Sequence, residues 1–270
     1  MISIVHQGDH RYNIYRAGQD IGCIRVSTNP YHDQNCYLNL GLIQFDPAIA
    51  KELFSLLRSE LGRPSQVMCY SWKDHHNFLT AGGFERRRRC FELEVSPTDL
   101  IAPLRASTEM HTAVKGSPLY AACCELLYDY YRKTHAPVSP LTVDAEVFCA
   151  DLPATTMCFI EDGKPTHCAF IEQDASECEI AYVATADLSS FCGFAQTLVH
   201  ALFREYAALT AECDDTDPAA MILKSMFRTS SDDSYDTYIL ECSGRVKIAT
   251  LRSERNDQFC QREIANSPGL

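Results

Sequence analysis

The sequence predicts an α/β (α+β) protein of two units, each a mixed, mostly antiparallel sheet flanked by helices. Three observations predict it. Short β-branched and aromatic runs alternate with stretches whose apolar residues recur at i, i+3 and i+4. The order strand, strand, strand, helix, strand, helix, strand is written twice along the chain. The third is the stretch from Glu177 to Tyr206, in which a strand passes through a short polar turn into an amphipathic helix.

In the first unit, residues 11–16 and 21–27 read as strands joined at Ala17-Gly18-Gln19-Asp20, and Cys36 to Leu42 is a third. Asp46-Pro47 opens a helix, as N-cap and first-turn proline. Ile49, Leu53, Leu56, Leu57 and Leu61 give it a buried face, and Gly62 closes it. Gln66 to Tyr70 is a strand, Lys73 to Gly82 a short helix, and Glu85 to Val95 the last strand. Trp72, the sole tryptophan, is expected to anchor this core. The unit therefore spans residues 1–97, and the proline-, serine- and threonine-rich stretch 98–116 reads as a linker.

The second unit, 117–270, begins with a helix from Ser117-Pro118 to about Lys133, whose tyrosine-rich face (Tyr120, Tyr128, Tyr130, Tyr131) suits packing between the halves. After a proline-rich break, Thr142 to Cys149 reads as a strand. Thr156 to Ile160 and Thr166 to Glu172 are strands around Asp162-Gly163-Lys164-Pro165. Glu177 to Thr185 is the strand of the central stretch, Asp187 to Ser190 its turn, and Cys192 to Ala207 its helix, with a buried row from Ala195 to Tyr206. A strand at Leu209 to Cys213, a helix at Pro218 to Met226 and a strand at Ser234 to Glu241 follow.

The net charge is −12, from 36 acidic and 24 basic residues. Such a surface repels nucleic acid and anionic membrane as main ligands, and favours an amine-bearing, cationic acceptor. The short basic run Arg86 to Arg89 reads as the end of a solvated edge strand. No apolar run reaches the roughly 18 residues of a membrane span. Met1 to His10 is too short and polar for a signal or transit sequence, so the expected compartment is the cytoplasm. The 14 cysteines contain no Cys-x-x-Cys or Cys/His pair at zinc spacing. They read as reduced, buried small hydrophobes, and no metal is expected. His75-His76 read as surface or capping residues, because neighbours on a helix do not face one another. His200 reads as structural.

Small residues at Gly193 and Ala195 would let a ligand approach backbone N–H groups at a helix start, where a phosphate is favoured. At this point the second unit resembles the GNAT N-acetyltransferase superfamily. That family carries a strand, then Arg/Gln-x-x-Gly-x-Gly/Ala, then a helix; one branch reads Val-x-Thr-x-Pro-x-x-Arg-Gly-x-Gly-x-Ala. Here Val183, Thr185, Gly193 and Ala195 match in register, while Asp187 replaces the proline, Ser190 the Arg/Gln and Phe191 the first glycine. Asp217-Pro218 stands where relatives often have Asn-Pro. In the first unit, Asn77 to Phe84 is similar to the end of the family's last helix, which commonly finishes in Gly-Phe. Gly41 to Ala48 lacks the cofactor signature, so this unit resembles a truncated copy.

The resemblance implies acetyl-CoA as co-substrate and an amine-bearing acceptor, in a monomer or homodimer. Cofactor-binding residues would be Val183, Ala184, Thr185, Ser190, Phe191, Cys192, Gly193, Phe194, Ala195 and Asp217. Amides from Cys192 to Ala195 would cradle the pyrophosphate, and Val183 to Thr185 would pair with the pantetheine amides. Glu179 is the candidate general base, and it reads equally as a carboxylate on a half-exposed strand. The general acid is unassigned: Leu223 or Lys224 occupies the family's tyrosine neighbourhood, Leu79 does so in the first unit, and Tyr235 and Tyr238 are strand tyrosines. The alternative is a degenerate acyl-CoA-binding or protein-interaction module. A third reading makes the duplication a purely structural platform.

Overall fold

Three helix starts follow one local device. In the computed structural model, Asp46 accepts from the Ala48 amide, Ser117 from Tyr120 and Asp217 from Ala219 and Ala220, and each is followed by a proline in the first turn. The structure describes residues 1–71, 73, 75–103, 110–174, 176–229 and 234–242. Trp72, and the part of the second unit after residue 242, lie outside them. The first half contains β1 (Ile2–His6), β2 (Arg11–Arg16), β3 (Gln19–Asn29), β4 (His32–Leu42), α1 (Pro47–Leu61), β5 (Ser65–Tyr70), α2 (His76–Ala81) and β6 (Glu85–Val95). The second contains β7 (His111–Val114), α3 (Pro118–His135), α4 (Ala145–Ala150), β8 (Thr155–Glu161), β9 (Lys164–Gln173), β10 (Glu177–Thr185), α5 (Leu188–Leu202), β11 (Ala208–Asp214), α6 (Pro218–Lys224) and β12 (Ser234–Leu240).

The hairpins β2–β3 and β8–β9 turn on Ala17-Gly18 and Asp162-Gly163, with positive φ at both residues of each pair. That geometry matches the right-handed twist of the flanking strands. The mixed, mostly antiparallel strands form one sheet in the order β1-β2-β3-β4-β5-β12-β6-β11-β10-β9-β8-β7. The order is palindromic, with one exchange at its centre. The last strand of the first half, β6, pairs with β11, and the last strand of the second, β12, pairs with β5. The two exchanged strands also pair with each other.

Strand β6 is therefore interior, and its expected place as a solvated edge strand is corrected. Four consecutive arginines look like edge protection in sequence. The acidic partners of Arg88 and Arg89 arrive from strands more than a hundred residues away. Arg88 donates to Asp214 at 2.8 Å, and Arg89 grips Asp236 with Nε at 2.7 Å and Nη2 at 2.8 Å. Arg87 reaches Glu85 and Glu241 at the surface.

Helices α1 and α2 close a core with Ile14, Ile24, Leu53, Val67 and Tyr238. Helices α5 and α6 close another with Leu93, Ile180, Phe194 and Leu223. Arg89 and Asp236, paired across β6 and β12, continue both cores' strand faces, so these four helices share one side of the sheet. Helix α3 packs on the opposite side, over Cys158, Cys168, Phe170 and Ala184. Its C-terminal turn covers a buried polar junction in which Tyr131 bonds His32, and His135 lies 3.6 Å from Asp214.

Three local expectations change. Thr142 to Cys149 is not a strand: Asp144 caps Val147 and starts α4, and Phe148 then packs between Tyr131 and Tyr182. The β-branched residues there mimic a strand pattern that tertiary packing overrides. The stretch 98–116 supplies β7, an outer strand paired with β8, and Leu100 bridges to Phe227. Strand β1 was also not anticipated; it pairs with β2, and its Ile2 amide donates to Glu52 of α1.

Breaking the buried Arg88–Asp214 pair leaves a carboxylate uncompensated between strands. Arg88→Met should cost about 3 kcal/mol in urea unfolding. Arg87→Met, which loses only exposed partners, should cost under about 0.5 kcal/mol.

Candidate functional site

The parallel pair β10–β11 holds register over only four positions, from Glu177↔Ala208 to Ile180↔Ala211. A bulge between Ile180 and Tyr182 then shifts β10 against β9. Beyond it, Tyr182, Val183, Ala184 and Thr185 keep their partners on β9 while the ladder to β11 has ended. A bulge re-aims a strand and terminates pairing on one side. The result is an interior strand edge, Val183 to Thr185, running straight into the start of α5.

That start differs from the expected one. Helix α5 begins at Leu188, with Asp187 as its cap, where a turn was expected as far as Ser190; it ends at Leu202. The physical reason is the Asp187 side chain, which accepts from the Ser189 amide at 3.0 Å and from the Ser189 hydroxyl at 2.7 Å. These bonds make helical the residues that read as a polar turn. The Cys192 to Ala195 amides consequently lie in the second turn, where each points at the carbonyl four residues earlier. Gly193 meets open space, with no atom within 4 Å of an added Cβ, and Cys192 is exposed. Phe191, Phe194 and Ala195 are fully buried in the core. The helix start therefore groups Asp187, Ser189 and Ser190.

A hydrogen-bond chain links this start to the strand edge. The Thr185 hydroxyl donates to the Asp187 carbonyl at 2.7 Å and accepts from the Asp187 amide at 3.0 Å. His167 of β9, only 2% exposed, places Nδ1 2.8 Å from that hydroxyl and Nε2 3.1 Å from Ser190 Oγ. The hydroxyl's proton is committed to the carbonyl, so Nδ1 donates to it, and Nε2 faces a Ser190 hydroxyl that donates to Asp187 Oδ2 at 2.9 Å. Burial lowers the His167 pKa, which favours the neutral imidazole. Sequence reasoning did not single out His167; a lone histidine in an apolar strand carries no motif.

Asp217, the cap of α6, is tied to the far side of the sheet. Its Oδ1 accepts from the Ala219 and Ala220 amides and, at 2.6 Å, from the Tyr130 hydroxyl on α3. Helices α3 and α6 lie on opposite faces, and Tyr130 packs against both cores. Its side chain therefore crosses the sheet beside the place where β10 and β11 part. Tyr130 was legible only as one of a tyrosine-rich face.

Glu179 stands on β10 before the bulge, opposite Glu172 on β9 and Thr210 on β11. Glu179 is exposed, and its partial desolvation on the strand still raises its carboxyl pKa, with Glu172 and Glu212 adding to the shift. Tyr235 donates to Glu212 at 3.0 Å, whereas Tyr238 lies in the first half's core beside His76. Leu223 is buried, Lys224 lies over the Phe91 ring, and Leu79 is buried beneath α1. None of these positions on α6 or α2 carries a hydroxyl. His75 packs against Phe45 with its ring tilted, and His200 is half-buried on α5. Among the described residues no His, Cys, Asp and Glu side chains group to hold a metal, the cysteines are free thiols, and no helix is long and apolar enough to cross a membrane.

No family model matches the sequence, and no curated protein matches it. Solved structures do match the backbone. A GCN5-related N-acetyltransferase from Sphaerobacter thermophilus superposes with a TM-score of 0.56 over 92% of this chain and 85% of that one, at 9% identity. Another from Kribbella flavida gives 0.50 over 90% of each chain, at 16% identity. The chain has the GNAT fold. In the first half, β4 and β5 are likewise parallel, over two paired positions, Cys36↔Ser65 and Tyr37↔Gln66. The length of the match spans both units of the sheet.

An acid whose pKa is raised on folding costs stability above its folded pKa, and the cost disappears as protonation relieves it. Glu179→Gln should therefore raise the melting temperature at pH 7 to 8. The gain should shrink as pH falls and vanish below about pH 4. Melting curves of both proteins across that range provide the check.

Proposed function

We propose that this protein binds an acyl-CoA, acetyl-CoA first among them, between β10 and β11 and transfers the acyl group to an amine. The observation that carries the reading is the strand edge at Val183 to Thr185, freed from β11 and leading into a helix start. The amides of a pantetheine arm can pair with such an edge as an added strand does. Val183, Ala184 and Thr185 would hold that arm. Ser189, Ser190 and Phe191, at the first turn of α5, would face the pyrophosphate, with Cys192 to Ala195 behind them and Asp217 at the neighbouring helix start.

In the transfer, the amine nitrogen attacks the thioester carbonyl and the carbon–sulfur bond breaks, leaving a thiolate. The amine's proton passes to a base. Glu179 suits that role in one respect: its raised pKa brings a carboxylate toward the operating pH. The acidic face of Glu172, Glu179 and Glu212 favours a cationic acceptor. We assign a cytoplasmic protein, monomeric or homodimeric, with residues 1–97 as a unit without its own cofactor loop, 98–116 as a connection that also contributes β7, and 117–270 as the cofactor-binding unit.

A second reading, an acyl-CoA-binding module without turnover, is favoured by one specific observation. The Asp187 carboxylate occupies the helix start that a phosphate would need, satisfying the Ser189 amide itself. A fixed anion there opposes a second one.

Acetyl-CoA should raise the melting temperature, and Asp187→Asn, which keeps a capping oxygen without the charge, should bind it several-fold more tightly. Thiol release in the presence of an amine panel separates the readings. Binding with release supports transfer, binding without release supports the module, and no binding by either protein rejects both.

A further inference from the structure

The opening between β10 and β11 has an occupant from this chain. Neighbouring strands of a paired sheet lie about 4.8 Å apart, too close for a side chain to pass between them. A phenol ring crosses only where the ladder has ended, and this ladder ends at Ile180↔Ala211. Tyr130 projects from α3 on one side of the sheet and packs against the cores of both sides. Its hydroxyl reaches the head of α6 on the other side. There it donates to Asp217 Oδ1 at 2.6 Å and accepts from the Ala219 amide at 3.2 Å.

Both ends of this bridge are held. Asp217 is fixed as the cap of α6 by the Ala219 and Ala220 amides. Burial raises the Tyr130 pKa, and the facing carboxylate adds to the shift, so the hydroxyl keeps its proton and remains the donor. A hydrogen bond to a carboxylate is about twice as strong as one between neutral groups. The helix behind the ring is fixed as well. Tyr120 donates to the Pro153 carbonyl at 2.8 Å, and the Tyr131 hydroxyl lies 3.1 Å from His32 Nε2. The part of the bridge that can move is therefore the Tyr130 side chain, which is half-buried and borders solvent.

We propose that Tyr130 is a latch: it closes the opening between β10 and β11, and acyl-CoA enters only when the Tyr130–Asp217 bond breaks and the ring swings aside. The inference rests on the acyl-CoA reading of this opening. The path of a pantetheine arm along Val183 to Thr185 and the path of the ring from α3 to α6 share one gap, so the two exclude each other. Binding works against a charge-assisted bond, and the protein holds acyl-CoA more weakly than the opening itself allows. The contact is autoinhibitory, and it is built from a helix on the face opposite α5 and α6.

The test uses the full chain, with acetyl-CoA as the probe in calorimetric titration. Tyr130→Phe keeps the ring and removes the hydroxyl. In the parent the latch bond is lost on binding, whereas this variant lacks it from the start. Tyr130→Phe should therefore bind about tenfold more tightly, the equivalent of one hydrogen bond to a charged group. Tyr130→Ala, which removes the ring too, should also bind more tightly than the parent. Tyr128→Phe, which loses a hydroxyl on the same helix that donates to the Val143 carbonyl, should bind as the parent does. A side chain that only supported the site would give the opposite sign. Equal or weaker binding by Tyr130→Phe overturns the latch and leaves the acyl-CoA reading standing. Binding by none of the four proteins overturns that reading and the latch together. If Tyr130→Ala fails to fold, Tyr130→Phe decides alone.

Discussion

The constraint on which the rest of this structure depends is the interior position of β6. Its outer neighbours, β12 and β11, both come from the second half of the chain, so neither half completes its own sheet. An interior strand bearing four arginines is tolerable only if their charges are met. Arg88 is met by Asp214 on one face, and Arg89 and Arg86 by Asp236 on the other. Paired and hydrogen-bonded, these charges specify one register, because a one-residue slip would turn each arginine to the face opposite its partner. The same three ion pairs therefore help to determine which strands meet and in what alignment.

The exchange also explains how a site in one half depends on the other. Strand β11 is held from its far side by β6, so the parting of β10 from β11 occurs against a fixed neighbour. Helix α3 braces the opposite face. Its Tyr131 contacts His32 of β4, its His135 lies near Asp214, and its Tyr130 reaches through to Asp217 at the head of α6. One helix thus connects the centre of the sheet with both borders of the opening. Among the described residues the first half has no helix in the corresponding place on that face.

Much of this was legible because it is local. Cap-proline pairs at Asp46-Pro47, Ser117-Pro118 and Asp217-Pro218 mark helix starts through side-chain-to-amide bonds spanning two or three residues. Ala17-Gly18 and Asp162-Gly163 mark two-residue turns through backbone conformation alone. The strand–helix junction at Glu177 to Tyr206 was found for the same reason. Its details were not, since the Asp187 side chain acts simultaneously as a cap and as a charge. In sequence Asp187 to Ser190 reads as a turn, and the folded chain uses Asp187 to make the residues from Leu188 onward helix. His167 and Tyr130 carry no local signature, because their partners lie on other elements.

Sequence by itself determined the class of fold, the doubled element order, the hairpins, most helix starts and the place where a strand runs into a helix. These follow from hydrophobic period and from hydrogen bonds between near neighbours. Only the tertiary structure decided that β6 and β12 change places, that the arginine run is central, and that Asp187, Ser190, His167 and Thr185 form one chain of bonds. Each of those outcomes depends on contacts between residues far apart in the chain. Their free energy exists only once the sheet has assembled, and no periodicity records it.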